Sequence, residues 1–205
     1  MRGDAPALTG LSGLVGGDLL LDRFGNADGT NLDGKALEIG GTWNVVSGTW
    51  QTQGNRARKT NATGANQFAR ANAGRADATA RAKFPLPASG SWTLGLSVRI
   101  SDGSNLWIAA LGASGAQKVD LIEVNAGSNT VRASATASST RANNGTYTLS
   151  AVCSGATITL LLDGVQQLSY ASATLNQTVT WFGLMVYYDG ATWLAQEADD
   201  FEVFP

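Results

Sequence analysis

Histidine is absent from the 205 residues. That removes serine–histidine–aspartate and cysteine–histidine catalysis, and histidine-ligated metals, in one step. Cysteine occurs once, so no intrachain disulfide can form. Cys153 lies in the alternating run Tyr147–Cys153 and reads as a small buried hydrophobe rather than a nucleophile. Charged residues make up only 15% of the chain and the formal net charge is −2, so there is no global basic field for nucleic acid. No apolar run approaches the ~20 residues of a membrane span. Secretory features are also missing from the first residues: Met1-Arg2-Gly3-Asp4 pairs one base with an immediate acid, and Leu8–Val15 is short and broken by glycine. The Arg2-Gly3-Asp4 tripeptide, without further context, is read as a chance match.

What is present points to an all-β protein. Hydrophobic residues make up 43%, enough for a real core, and 25 glycines suit a chain with many turns. Asp77–Phe84 alternates, with Ala78, Ala80, Ala82 and Phe84 on one face and Thr79, Arg81 and Lys83 on the other. Ser91–Ile100 alternates more cleanly, placing Trp92, Leu94, Leu96, Val98 and Ile100 together. Leu106–Leu111 is a continuous apolar run, the mark of a strand buried on both faces. Asp163-Gly164 is a two-residue hairpin turn between Thr157–Leu162 and Val165–Tyr170. Gly41–Trp50 reads as a strand, a turn at Gly48 and a returning strand, with Trp43 and Trp50 defining the fold. About 12–14 strands at 8–12-residue spacing, and no helix, predict a sandwich or barrel. Residues 1–17 form an N-terminal arm or linker and residues 18–205 one domain; Leu8, Leu11, Leu14 and Val15 suit an arm that docks on a neighbouring subunit.

The order of the pieces resembles the concanavalin A-like (laminin G-like) jelly roll, a two-sheet antiparallel β-sandwich. Asp22-Arg23-Phe24, Asp28-Gly29-Thr30, Trp43-x-Val45 and Gly48-Thr49-Trp50 carry it early. Tyr147-x-Leu149, Ile158-x-Leu160-x-Leu162-Asp163-Gly164 and Asp199-Asp200-Phe201-x-Val203 carry it late. The resemblance implies that the final strand pairs near the first, bringing Phe201 to Phe24. It also implies three kinds of site. Laminarinase-type glucanases of this fold use Glu-x-Asp-x-x-Glu. Here the stretch Lys118-Val119-Asp120-Leu121-Ile122-Glu123 puts lysine where the nucleophile would stand, so no catalytic residue is assigned and the chain is expected not to be an enzyme. Asp22, Asp199 and Asp200 are the candidate ligands for a structural Ca²⁺; no other cofactor is expected. Trp107, Trp181, Tyr187, Tyr188 and Trp193 are the aromatics that the obvious core does not need, and so the candidate carbohydrate platform.

Charge is unevenly distributed. Seven bases and one acid lie between Arg56 and Lys83, and five acids and no base between Asp189 and Glu202. These are either two solvated surfaces or complementary patches that pair between copies. The expectation for function is a structural or adhesion protein of a bacteriophage virion: a capsid decoration, head fibre or tail module, oligomeric and glycan-binding. Its partners would be other virion proteins or its own copies through residues 1–17, and cell-surface glycans, with no membrane and no specific nucleic acid. The alternatives are an extracellular bacterial carbohydrate-binding module and a weak glycoside hydrolase.

Overall fold

The structure is a computed structural model, and it describes residues 17–60, 66–87, 93–112, 117–187 and 196–205. Fifteen strands form two antiparallel sheets packed face to face, and no helix occurs among the described residues. The strands are β1 (Leu20–Asp22), β2 (Asn44–Val45), β3 (Trp50–Thr52), β4 (Ala57–Lys59), β5 (Asn66–Asn72), β6 (Thr79–Pro85), β7 (Thr93–Asp102) and β8 (Asn105–Leu111). They continue as β9 (Lys118–Asn125), β10 (Ser128–Thr136), β11 (Thr146–Ser154), β12 (Thr157–Leu162), β13 (Val165–Tyr170), β14 (Trp181–Tyr187) and β15 (Glu197–Phe204). One sheet runs β13-β12-β11-β6-β15-β4-β3, with β1 also paired to β15. The other runs β10-β9-β8-β7-β14-β5-β2.

Period-two alternation builds the core between the sheets. Ala78, Ala80, Ala82 and Phe84 are buried from one side, and Leu94, Leu96 and Val98 from the other. As the apolar run predicts, β8 is buried on both faces. Trp107, Ala109 and Leu111 join the main core, while Leu106, Ile108 and Ala110 join a second cluster on the outer face of the seven-stranded sheet, with Phe68, Ile122 and Met185. Cys153 is buried in the main core, and burial pushes its thiol up to about 12. The last strand does meet the first: Asp22 lies opposite Phe201, and Trp43 stands between Phe24 and Phe201 with ring centroids 5.9 and 4.9 Å away.

Three expectations are corrected. Gly41–Trp50 is not a hairpin. β2 pairs with β5 in one sheet and β3 pairs with β4 in the other, so the chain crosses the sandwich between Val45 and Trp50. Gly48 takes φ 83° at that crossing, and the Trp50 Nε1–H donates back to the Ser47 carbonyl at 3.2 Å. Both tryptophans are core residues all the same. Secondly, Ile100 does not share a face with Val98. The register shifts after Val98, Arg99 adopts φ 52°, and Ile100 falls into the outer cluster. The side chain of Arg99 is buried and donates to Asp77 Oδ1 at 3.0 Å and to the Ala173 carbonyl at 3.4 Å.

Thirdly, the basic and acidic segments pair within the chain rather than between copies. β15 lies between β6 and β4, and its acids face their bases. Arg81 meets Glu202 at 2.7 Å and Lys83 meets Asp200 at 2.5 Å. Glu197 takes Arg56 at 2.8 Å and the Arg58 Nε–H at 2.8 Å. Asp199 is the member of this row that burial, and then the neighbouring Asp200 charge, hold above the ordinary aspartate value of 3.8. A carboxyl raised on folding contributes stability below its unfolded value and loses it as pH rises through the raised one. Asp199→Asn keeps the oxygen that accepts the Asp200 amide at 2.8 Å. It is therefore expected to raise Tm at pH 7 by on the order of 1–3 °C, with the gain gone by about pH 3. Thermal melts of both proteins at pH 7 and pH 3 check this, and an equal shift at both would remove the titration of Asp199 as its cause.

Candidate functional site

The outer face of the seven-stranded sheet carries the chemistry that the core does not consume. On β14, residues alternate so that Trp181, Gly183, Met185 and Tyr187 point outward while Phe182, Leu184 and Val186 enter the main core. Trp181 and Tyr187 thus share a face about 20 Å apart, at ~3.3 Å per residue. Trp181 packs, half-buried, against the outer cluster, as does Val46. Tyr187 is exposed, opposite Asn66 and Thr93.

Arg70 on β5 converts Trp181 from a packing residue into one wall of a polar niche. Its guanidinium carbon lies 4.4 Å from the Trp181 ring centroid, a cation–π distance. Nη1 donates to the carbonyls of Ile100 and Ser101 at 3.0 and 2.6 Å, and Nε to Asn44 Oδ1 at 3.1 Å. Those two carbonyls are on β7, and β14 lies between β5 and β7, so the arginine reaches across a whole strand. Two irregularities make this reach available. The β7 bulge takes the Ile100 and Ser101 carbonyls out of the ladder with β14, which ends at Val98. Gly183, opposite Arg70, has no side chain; a Cβ there would overlap the Ala69 carbonyl oxygen and come within 2.7 Å of Arg70 Cα. Asn72 follows on the same face, its Oδ1 accepting from Thr180 Oγ1 at 2.7 Å and from the Gly74 amide at 2.9 Å. Burial lowers the Arg70 pKa, against the pull of the Asp102 charge.

The other sequence candidates fall elsewhere. Trp107 is a correction: it is fully buried, its Nε1–H donates to the Leu175 carbonyl at 3.0 Å, and its ring lies 5.8 Å from Tyr170, so neither face is open to a ligand. Tyr188 and Trp193 lie outside the described residues. The calcium candidates are not brought to one site. Asp22 is buried and its carboxylate accepts from Lys35 Nζ, Trp43 Nε1 and the Phe24 amide at 2.6, 2.6 and 2.8 Å. Asp200 pairs with Lys83 on the opposite side of the strand pair. Among the described residues no three acidic or cysteine side chains gather as a metal site.

The glucanase-like stretch is β9 itself. It pairs with β8 without a register shift from Val119 to Val124, so residues 118, 120 and 122 face outward and 119, 121 and 123 inward. Asp120 and Glu123 therefore stand on opposite faces. Glu123 lies opposite Trp107 and accepts from Arg132 Nε at 3.1 Å. Sequence reading missed Arg70, counting it only as one of seven bases. The signal available was the alternation Phe68, Arg70, Asn72 in a stretch whose structure the composition left open.

No protein-family model and no curated protein matches the chain. Solved structures do. The carbohydrate-binding module CBM66 from Bacillus subtilis is 18% identical over 79% of this chain and 93% of its own, with a TM-score of 0.60. The Bacillus licheniformis β-glucanase is 12% identical over 93% and 99%, with a TM-score of 0.63. SCLam, a non-specific endo-β-1,3(4)-glucanase from family GH16, is 10% identical over 91% and 90%, with a TM-score of 0.64. The chain thus has the concanavalin A-like jelly-roll fold, one shared by hydrolases and non-catalytic binding modules.

Proposed function

We propose that this chain is a non-catalytic glycan-binding module whose site is the outer face of the seven-stranded sheet, around Trp181 and Arg70. The observation that carries the reading is the half-buried indole of Trp181 held against the Arg70 guanidinium, with the Asn44 and Asn72 amides on the same face. An aromatic plate takes the apolar face of a sugar ring, and planar polar groups beside it take the hydroxyls. The separation of Asp120 from Glu123 supports the non-catalytic part, because retaining hydrolysis needs two carboxyls about 5–5.5 Å apart on one face. The glycan-binding and glucanase neighbours support the choice of ligand class as analogy.

Trp181→Ala is expected to weaken glycan binding about tenfold, the loss of an aromatic contact worth ~1–2 kcal/mol. Affinity electrophoresis through gels of plant β-glucans, fructans and bacterial surface polysaccharides provides the measurement. Unchanged migration of Trp181→Ala in every gel that retards the parent would remove this face as the site. The finer reading is an adhesion or decoration module of a phage particle. It is supported by the exposed Val131 and Val165 on the edge strands β10 and β13, a surface that suits a neighbouring subunit. Selective retardation by bacterial surface polysaccharide favours that setting, and selective retardation by plant β-glucan or fructan favours the free bacterial module.

A further inference from the structure

Arg70 has no carboxylate within 4.0 Å among the described residues, and the Asp102 charge acts on it only from beyond that distance. Arg23, Arg56, Arg58, Arg81, Arg99 and Arg132 each lie within 4.0 Å of a carboxylate. Arg70, half-buried on the sheet face, has none; carbonyls, a carboxamide and an indole hold it. A guanidinium drawn partly out of water without an anion is unfavourable. Its five donors are only partly used: among the described residues, Nη2 has no acceptor. The neighbouring Asn44 accepts the Arg70 Nε–H on its Oδ1, and among the described residues its exposed Nδ2 has no acceptor. The face therefore presents adjacent, planar hydrogen-bond donors around one positive charge that has no carboxylate within 4.0 Å among the described residues, next to an aromatic side chain.

We propose, resting on the glycan-binding reading above, that the ligand is an acidic glycan of the uronate type. Its carboxylate is held by Arg70 Nη2 and Asn44 Nδ2, and its ring lies beside Trp181, one face of which Arg70 covers. A planar carboxylate matches the planar guanidinium in geometry as well as charge. The niche is held in place before any ligand arrives, because Nη1 is fixed by the two β7 carbonyls that the bulge releases. Arg70 also ties β5 to β7, and a merely mechanical clip makes a different prediction: its loss would lower stability and leave the choice between acidic and neutral glycans unchanged.

The test titrates the full chain with polygalacturonate, alginate and hyaluronan, with their carboxyl-reduced neutral counterparts, and with dextran sulfate. The expected result is that at least one uronate polymer binds and its carboxyl-reduced form binds at least tenfold more weakly. Raising NaCl from 50 to 500 mM is expected to weaken that binding roughly tenfold. Arg70→Gln is expected to lose the discrimination between the acidic polymer and its reduced form, and Arg70→Lys to recover only part of it. The salt and carboxyl-reduction arms use the parent protein alone, so they stand even where a variant folds poorly. Equal binding of acidic and neutral forms overturns the acidic ligand while the glycan reading survives. Binding of dextran sulfate alone overturns the carboxylate. Binding of no polymer in this set or in the gels overturns both readings.

Discussion

Trp43→Ala is expected to lower the unfolding free energy by about 4–5 kcal/mol, a large share of the 5–15 kcal/mol typical of a domain. The ring is 1% exposed and sits between Phe24 and Phe201. Truncation removes its own burial and both aromatic contacts, and leaves a void walled by strands that are fixed by their ladders and cannot close over it. A second loss compounds the first. The indole N–H donates to Asp22 Oδ2 at 2.6 Å, and the carboxylate it serves is itself buried. Removing a donor from a buried anion costs more than the bond contributed. Trp43→Phe separates the two effects: it keeps most of the ring volume and loses the donor, so about 2 kcal/mol is expected. Urea titrations followed by circular dichroism measure both, and a loss under about 1.5 kcal/mol for Trp43→Ala would mean that this cluster does not anchor the fold.

Lys35→Met should be nearly as severe, at about 3–5 kcal/mol, for an electrostatic reason. The Lys35 ammonium lies 2.6 Å from Asp22 Oδ2, with side-chain exposures of 5% and 1%. Such a pair gains little over a well-packed apolar pair, yet breaking it strands one charge away from water. The sign of the second change is the informative part. Adding Asp22→Asn to Lys35→Met removes the stranded charge, keeps the oxygen that accepts the Phe24 amide, and should recover at least half of the loss. Additive losses in the double variant, rather than recovery, would show that the two side chains act independently.

Both variants address a cluster that the sequence anticipates in part. Phe24 and Phe201 are expected to meet because the resemblance pairs the last strand with the first, and they do. The faces of β6 and β8, and the hairpin at Asp163-Gly164 with φ 50° and 80°, follow from period-two patterning and turn chemistry. Patterning says which residues share a face but not which sheet a strand joins. Trp43 and Trp50 look the same from the core whether the chain between them is a hairpin or a crossing, so patterning does not separate the two. A one-residue bulge is equally silent: Arg99 occupies an outward position in the alternation, and the left-handed turn of one residue sends it inside and Ile100 out. Two features of the site inherit that silence. Arg70 depends on the carbonyls freed by the bulge, and Asp120 and Glu123 can be placed on opposite faces only once β9 is known to run without one. The ion pairs along β15 were visible as charge excesses, yet composition alone gives no partner to either.

The central position of β15 bears on how the sandwich closes. Residues 197–204 fill the middle of a sheet between β6 and the β1 and β4 segments. Until they arrive, β1 has no strand partner there, and β6 and β4 expose open edges that face each other across a gap. A chain in which this segment has not docked holds an unfinished sandwich with adhesive edges, a species prone to pairing with its neighbours. With contacts of such long sequence separation, folding is expected to be slow. Closure then depends on a strand whose row of acids finds waiting bases on either side.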